Sequence, residues 1–157
     1  MFSIGEKVLY PMHGAGTIEN IEDRTVLGET RQYYILRIIH GNMQVMVPVS
    51  GSEQAVLRGI VAPEVFKDVL EVLRSASTEM DENWNRRNRD NLEKIKTGNI
   101  KEVAAVVRNL TRIDRIRKLS TGEKKLLTNA KQILSSEISL ATGVAEADIL
   151  EQIEQAI

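Results

Sequence analysis

The chain has 157 residues, 42% of them hydrophobic and 27% charged, with a formal net charge of −1 and no cysteine. Such a composition fits one compact domain or two small ones in a reducing cytoplasm, with no disulfide frame, thiolate metal site or cysteine nucleophile. No apolar run approaches the roughly 18 residues of a membrane span, and Met1-Phe2-Ser3-Ile4-Gly5-Glu6 lacks the basic and apolar regions of a secretory signal.

Residues 1–50 predict short strands. Lys7-Val8-Leu9-Tyr10 reads as a strand stopped by Pro11, and Thr17 to Ile21 alternates polar with apolar side chains as a half-buried strand does. The glycine-rich stretch Pro11-Met12-His13-Gly14-Ala15-Gly16 is expected to be the turn between them. Gln32 to Ile39 is rich in β-branched and aromatic residues, and Gln44 to Val47 can return beside it through His40-Gly41-Asn42-Met43, whose Gly-Asn pair accepts positive φ. Four or five short strands in so few residues predict a small SH3-like or Tudor-like barrel.

The period then changes to that of helices. Pro63 suits a first helical turn, and Val65, Phe66, Val69, Leu70, Val72 and Leu73 form one apolar stripe. A polar, acidic connector, Ser75 to Asn83, leads to a second helix, expected to be capped near Asp81 and to run through Trp84 to Lys96 before Gly98. Asn99-Ile100-Lys101-Glu102 resembles a capping box for a third helix, with Val103, Val106, Val107, Leu110 and Ile113 inward. Ser120-Thr121-Gly122-Glu123 opens a fourth, with Leu126, Leu127, Ala130, Ile133, Leu134 and Ile138 inward and Gly143 at its end. An acidic amphipathic helix over Glu146 to Ile157 completes the chain. The expected class is α+β: an N-terminal β-barrel domain over residues 1–61 and an all-α domain over 62–157.

A pI near 6.2 argues against a nucleic-acid partner only if the charge is spread evenly. It is segregated. Residues 1–61 sum to −1, residues 62–83 to −4, residues 84–131 to +9 and residues 132–157 to −5. A basic block of that size within a neutral total points to a polyanionic partner, or to a set of solvated helix faces.

Catalysis is not expected. The two histidines, His13 and His40, fall in predicted turns without carboxylates at metal-ligand spacing, and there is no phosphate loop, dinucleotide fingerprint or nucleophile elbow. No metal or other cofactor is implied. Trp84 is the most informative residue: no apolar side chain accompanies it between Met80 and Leu92, and Asn83, Asn85, Arg86, Arg87, Asn88 and Arg89 surround it. It is either a core residue whose pocket another helix supplies, or a ring that wedges against a base step while its neighbours hold phosphates. Lys124 and Lys125, with the amide groups of the fourth helix's first turn, form a second candidate phosphate site. Arg108, Arg112, Arg115, Arg117 and Lys118 are expected to extend the basic surface along the third helix. No aromatic residue follows Trp84, which disfavours the stacking platforms of RNA and single-strand readers. Duplex DNA binding and a protein–protein adaptor with a basic surface are the two readings left by the residues themselves.

Several segments in order resemble one family. Gly5-Glu6-Lys7-Val8-Leu9-Tyr10-Pro11 with His13-Gly14 and Gly16, Val47-Pro48, Asn83-Trp84-Asn85-Arg86-Arg87 with Asn91-Leu92-Glu93-Lys94, Val106 to Leu110, and Leu119 to Lys125 followed by Ala130 to Leu134 look like the CarD/CdnL family of bacterial transcription regulators. Transcription-repair coupling factors share only the barrel. The resemblance implies a Tudor-like domain that binds the RNA polymerase β subunit by strand-edge pairing. It also implies a helical domain that contacts double-stranded promoter DNA at the upstream edge of the bubble, with no membrane partner and a monomeric chain. Carried over, Trp84 is the minor-groove wedge, and Arg86, Arg87, Arg89, Lys124 and Lys125 are DNA contacts. Arg24 matches a polymerase-contacting arginine, and Val45, Met46, Val47 and Pro48 fall on the polymerase-binding strand. Met46 stands where well-known members have a second arginine, which removes one charge from the implied interface.

Overall fold

The computed structural model describes residues 1–50 and 57–157; residues 51–56, within the expected N-terminal span, lie outside the described residues. Among the described residues, five antiparallel strands are followed by five α-helices. The strands are β1 (Lys7–Tyr10), β2 (Gly14–Val26), β3 (Glu29–Ile38), β4 (Met43–Pro48) and β5 (Arg58–Gly59), hydrogen-bonded in the order β4-β3-β2-β1-β5. The architecture is α+β, with the Tudor-like strand region at the N-terminus.

Two details of the strand region differ from the sequence reading. The turn after β1 is confined to Pro11–His13, and both Gly14 and Gly16 belong to β2. They are glycines because the backbone is crowded: a Cβ on Gly14 would meet Ser136 Oγ at 3.1 Å, and one on Gly16 would run into the Arg37 carbonyl of β3. Second, β2 continues to Val26 and turns back through Leu27 and Gly28, both at positive φ (54° and 77°), so β2 and β3 pair to the end of a long hairpin arm. A leucine in that conformation hides the two-residue turn signal that Asn-Gly would display. At the other end, Gly41 and Asn42 adopt φ of 76° and 51° within a short 3-10 turn, His40–Asn42, ahead of β4.

The helices are α1 (Val65–Arg74), α2 (Trp84–Lys96), α3 (Ile100–Ile116), α4 (Thr121–Thr142) and α5 (Glu146–Ala156). Their ends follow local chemistry. The Asn99 side chain accepts from the amides of Lys101 and Glu102, Ser120 Oγ accepts from Glu123, and Gly143 closes α4 at φ 78°. For α2 the cap is Asn83 rather than Asp81: Asn83 Oδ1 accepts from Asn85 and Arg86, while Asp81 Oδ1 accepts from the Asn83 amide. The apolar stripes named from the sequence meet in one core built of Val69, Leu73, Val103, Val107, Leu110, Leu134, Ile138, Ile149 and Ile153, among others.

This helical core also takes in Leu9 and Ala15 from the sheet, whereas Val8, Ile18, Leu36, Ile38 and Val47 form a separate cluster within the strands. Polar contacts reinforce the junction. The Ala15 amide donates to Ser136 Oγ at 3.0 Å. Arg58 of β5 donates to both carboxylate oxygens of Glu137 (2.5 and 2.7 Å) and to the Gly98 carbonyl, while the Val61 amide donates to the same glutamate at 3.0 Å. Glu137 is almost fully buried on α4, so four donors on two neighbouring segments converge on one region between sheet and helices. No helix among the described residues is long and apolar enough to cross a membrane.

Candidate nucleic-acid interface

Trp84 is the first residue of α2 and its side chain is 51% exposed. It lies within about 20° of Asn91 and Ile95 on the helix, at 100° per residue, and both of those are buried. The ring therefore starts on the inward stripe but at the end of the helix, where no neighbouring element covers it fully. The Asn83 cap closes the first-turn amides and fixes the direction in which the ring leaves the body.

The cations around it divide into two sets. Arg86, Arg89, Lys124 and Lys125 are exposed and make no side-chain ion pair or hydrogen bond among the described residues. Arg87 departs from the expectation of a DNA contact. Its guanidinium is buried and grips Glu123 bidentately, Nε to Oε2 at 2.7 Å and Nη2 to Oε1 at 2.8 Å. The stripe Arg87, Asn91, Ile95, spaced four apart, is the buried face of α2. Hydrogen bonding to Arg87 holds the Glu123 carboxyl below its ordinary range against the opposing effect of burial, and the same bond raises Arg87.

Glu123 also changes the reading of the α4 N-terminus. Its amide donates to Ser120 Oγ at 3.2 Å, and the Ser120 hydroxyl donates to Glu123 Oε1 at 3.1 Å. A buried carboxylate already occupies the terminus, so the first turn is not a vacant phosphate cradle. Lys124 and Lys125 stand beyond it as exposed point charges.

Along α3 the expected basic surface is reduced: Arg115, Arg117 and Lys118 are exposed, whereas Arg112 is half-buried. Arg108 is buried and donates to the Val72 carbonyl, Ser75 Oγ, Thr78 Oγ1 and Asn109 Oδ1 at 2.8–3.4 Å. Burial, followed by the charge of Arg112, lowers its pKa. Arg112 reaches Ser77 Oγ and the Leu73 carbonyl, and Arg115 reaches the carbonyls of Ile157 and Glu154. These three guanidiniums tie down the connector after α1 and the chain's last turn. Arg117 and Lys118 remain exposed.

The polymerase-facing candidates lie on the sheet. β4 is an edge strand, which suits pairing with another chain. Met46 points outward and is 42% exposed, Val45 and Pro48 are partly buried, and Val47 is buried in the strand cluster, so Val47 offers backbone only. Arg24 sits on the exposed hairpin arm opposite Arg31, paired with its neighbour Glu22 at 2.5 Å. Met46 registers through Ile35 with Asn20, four residues before Arg24 along β2, a separation of about 13 Å. Arg24 and β4 are thus two parts of one face rather than a compact cluster.

What sequence reasoning missed was the partner of Arg87. Its signal was the spacing of Arg87, Asn91 and Ile95, masked because two of the three are polar. Comparison with known proteins agrees with this architecture. Residues 2–61 match the CarD-like/TRCF RID domain and residues 68–154 the CarD C-terminal domain. The chain is 39% identical over 149 residues, 95% of its length and 97% of the relative's, to the Bacillus subtilis (strain 168) protein named "Putative transcription factor YdeB". With both halves matched in order along nearly the whole length, the chain belongs to the CarD/CdnL family of non-enzymatic transcription regulators.

Proposed function

We propose that this regulator binds the RNA polymerase β subunit through residues 1–61 and promoter DNA at the upstream edge of the bubble through residues 62–157, stabilising the open complex as a monomer in the cytoplasm. On the polymerase side, the edge strand β4, with Val45, Met46 and Pro48 and the backbone of Val47, adds to a partner strand, and Arg24 contributes a peripheral charge. On the DNA side, Trp84 is the wedge and Arg86, Arg89, Lys124 and Lys125 hold phosphates. The observation that carries this reading is a half-exposed tryptophan at a helix start, with exposed cations that pair with no carboxylate among the described residues.

The magnitudes suit a regulator. Covering the exposed half of an indole, on the order of 100 Å², is worth about 2–3 kcal/mol. Expressed only when an unstacked base step is available, that difference shifts the closed–open equilibrium roughly 30- to 150-fold. A few exposed cations provide weak, sequence-independent binding, and tethering to polymerase raises its local concentration. The net charge of −1 keeps the free chain from coating DNA indiscriminately.

The test is the lifetime of an open promoter complex with wild-type protein and with Trp84→Ala. The variant should fold and lose most of the stabilisation. Undiminished stabilisation would remove the wedge, and absence of salt-dependent duplex binding by the wild type would favour a protein-only adaptor.

A further inference from the structure

We infer that the buried Arg87–Glu123 pair is a positioning joint that sets the Trp84 wedge at a fixed distance from the Lys124 and Lys125 phosphate contacts. The inference rests on the DNA-binding reading above and assigns its internal geometry. Arg87 lies one turn into α2, three residues from Trp84, and Glu123 lies in the first turn of α4, one residue from Lys124. Two parallel hydrogen bonds, 2.7 and 2.8 Å, therefore connect the two helix starts that carry the exposed cations and the ring. Both side chains are less than a tenth exposed.

Each member is further braced. Ser120 bonds Glu123 from both its hydroxyl oxygen and its hydroxyl hydrogen, which locks the carboxylate plane to the α4 cap. The remaining Arg87 nitrogen faces the carbonyls of Asp81 and Glu82 at 3.4 and 3.5 Å, the two residues before the Asn83 cap. One guanidinium thus touches the segment entering α2, α2 itself and α4. Stability alone does not call for this arrangement, because apolar side chains of similar volume commonly replace a buried ion pair at no loss. The planar fork supplies direction: it admits one relative orientation of the two helices, which an apolar contact or a lysine does not enforce. Arg87 acts through Trp84, Lys124 and Lys125 and does not itself touch DNA.

The experiment uses full-length protein carrying Arg87→Met with Glu123→Gln, which leaves no unpaired buried charge, and Arg87→Lys as a second variant that keeps the charge and loses the fork. Trp84 is the sole tryptophan, so its emission reports the wedge directly. We expect both variants to fold, to bind duplex DNA with an unchanged slope of log affinity against log salt, to show altered iodide quenching of Trp84, and to shorten open-complex lifetime at least fivefold. In the same series Arg86→Ala should lower the slope by about 0.9, the signature of one lost phosphate contact. A comparable loss of slope in the double variant would make Arg87 a DNA contact and overturn the inference. Wild-type quenching and lifetime in the folded variants would reduce the pair to a core feature and equally overturn it. Failure of the DNA-binding reading would show separately, as insensitivity of lifetime and slope to Trp84→Ala and Arg86→Ala.

Discussion

The first turns of α2 and the length of α3 are equally rich in arginine, yet they use it oppositely. In α2, Arg86 and Arg89 face solvent on either side of the buried Arg87. In α3, Arg108 is buried and Arg112 and the exposed Arg115 are engaged with backbone carbonyls, while Arg117 and Lys118, just past its end, make no such side-chain contacts among the described residues. The lesson is that a charge block measures guanidinium number and not electrostatic surface. Part of the +9 segment serves as internal cross-linking, and the exposed cations left to a polyanion include those at the starts of α2 and α4 and just past the end of α3.

The contrast can be broken most sharply at the buried members. Arg87→Ala alone should destabilise the fold by about 3–5 kcal/mol, because Glu123 is left buried without its counter-charge. Chemical denaturation reads this directly, and a loss well under that range would mean the pair is open to water in solution. Replacing both partners should recover most of the loss, a difference that separates unpaired charge from lost packing.

Arg108→Ala should follow at about 2–3 kcal/mol, through the carbonyl and hydroxyl partners it abandons. Faster hydrogen exchange should be confined to the connector around Ser75 and Thr78, with no change in the salt slope of DNA binding. A fall in that slope would return Arg108 to the surface.

Acid offers a gentler probe. The Glu123 carboxyl is depressed below the ordinary 4.5 in the folded chain by Arg87. Its contribution is therefore complete above about pH 4.5, the unfolded value, and is lost as pH falls through the lowered folded value. Glu123→Gln should flatten the acid limb of the stability profile, and a limb of unaltered steepness would assign acid sensitivity to other carboxylates.

The smallest stability effect belongs to the exposed set. Arg86→Ala should change folding stability by less than about 0.5 kcal/mol while weakening duplex binding across sequences. Substantial unfolding would show that Arg86 is engaged internally as Arg87 is, and not solvent-facing.

Much of the fold was legible because its signals are local. The caps at Asn99 and Ser120, the closing Gly143, and the apolar stripes of α1, α3 and α4 rest on residues within a few positions of one another. The isolation of Trp84 was equally visible. The Leu27–Gly28 turn and the cap of α2 were less so, since leucine rarely takes positive φ and Asp81 competes with Asn83 as a cap. Val47 and Met46 could be placed on one strand, but which of them faces the partner depended on the pleat against β3.

The chain's order of strands and helices and the isolation of Trp84 among polar neighbours follow from the sequence alone, because hydrophobic periodicity and capping are short-range. Which of two adjacent arginines faces solvent does not. Arg86 and Arg87 are chemically identical, and only the tertiary structure separates them: one step of 100° turns Arg87 inward, and a carboxylate 36 residues away, Glu123, makes its burial tolerable.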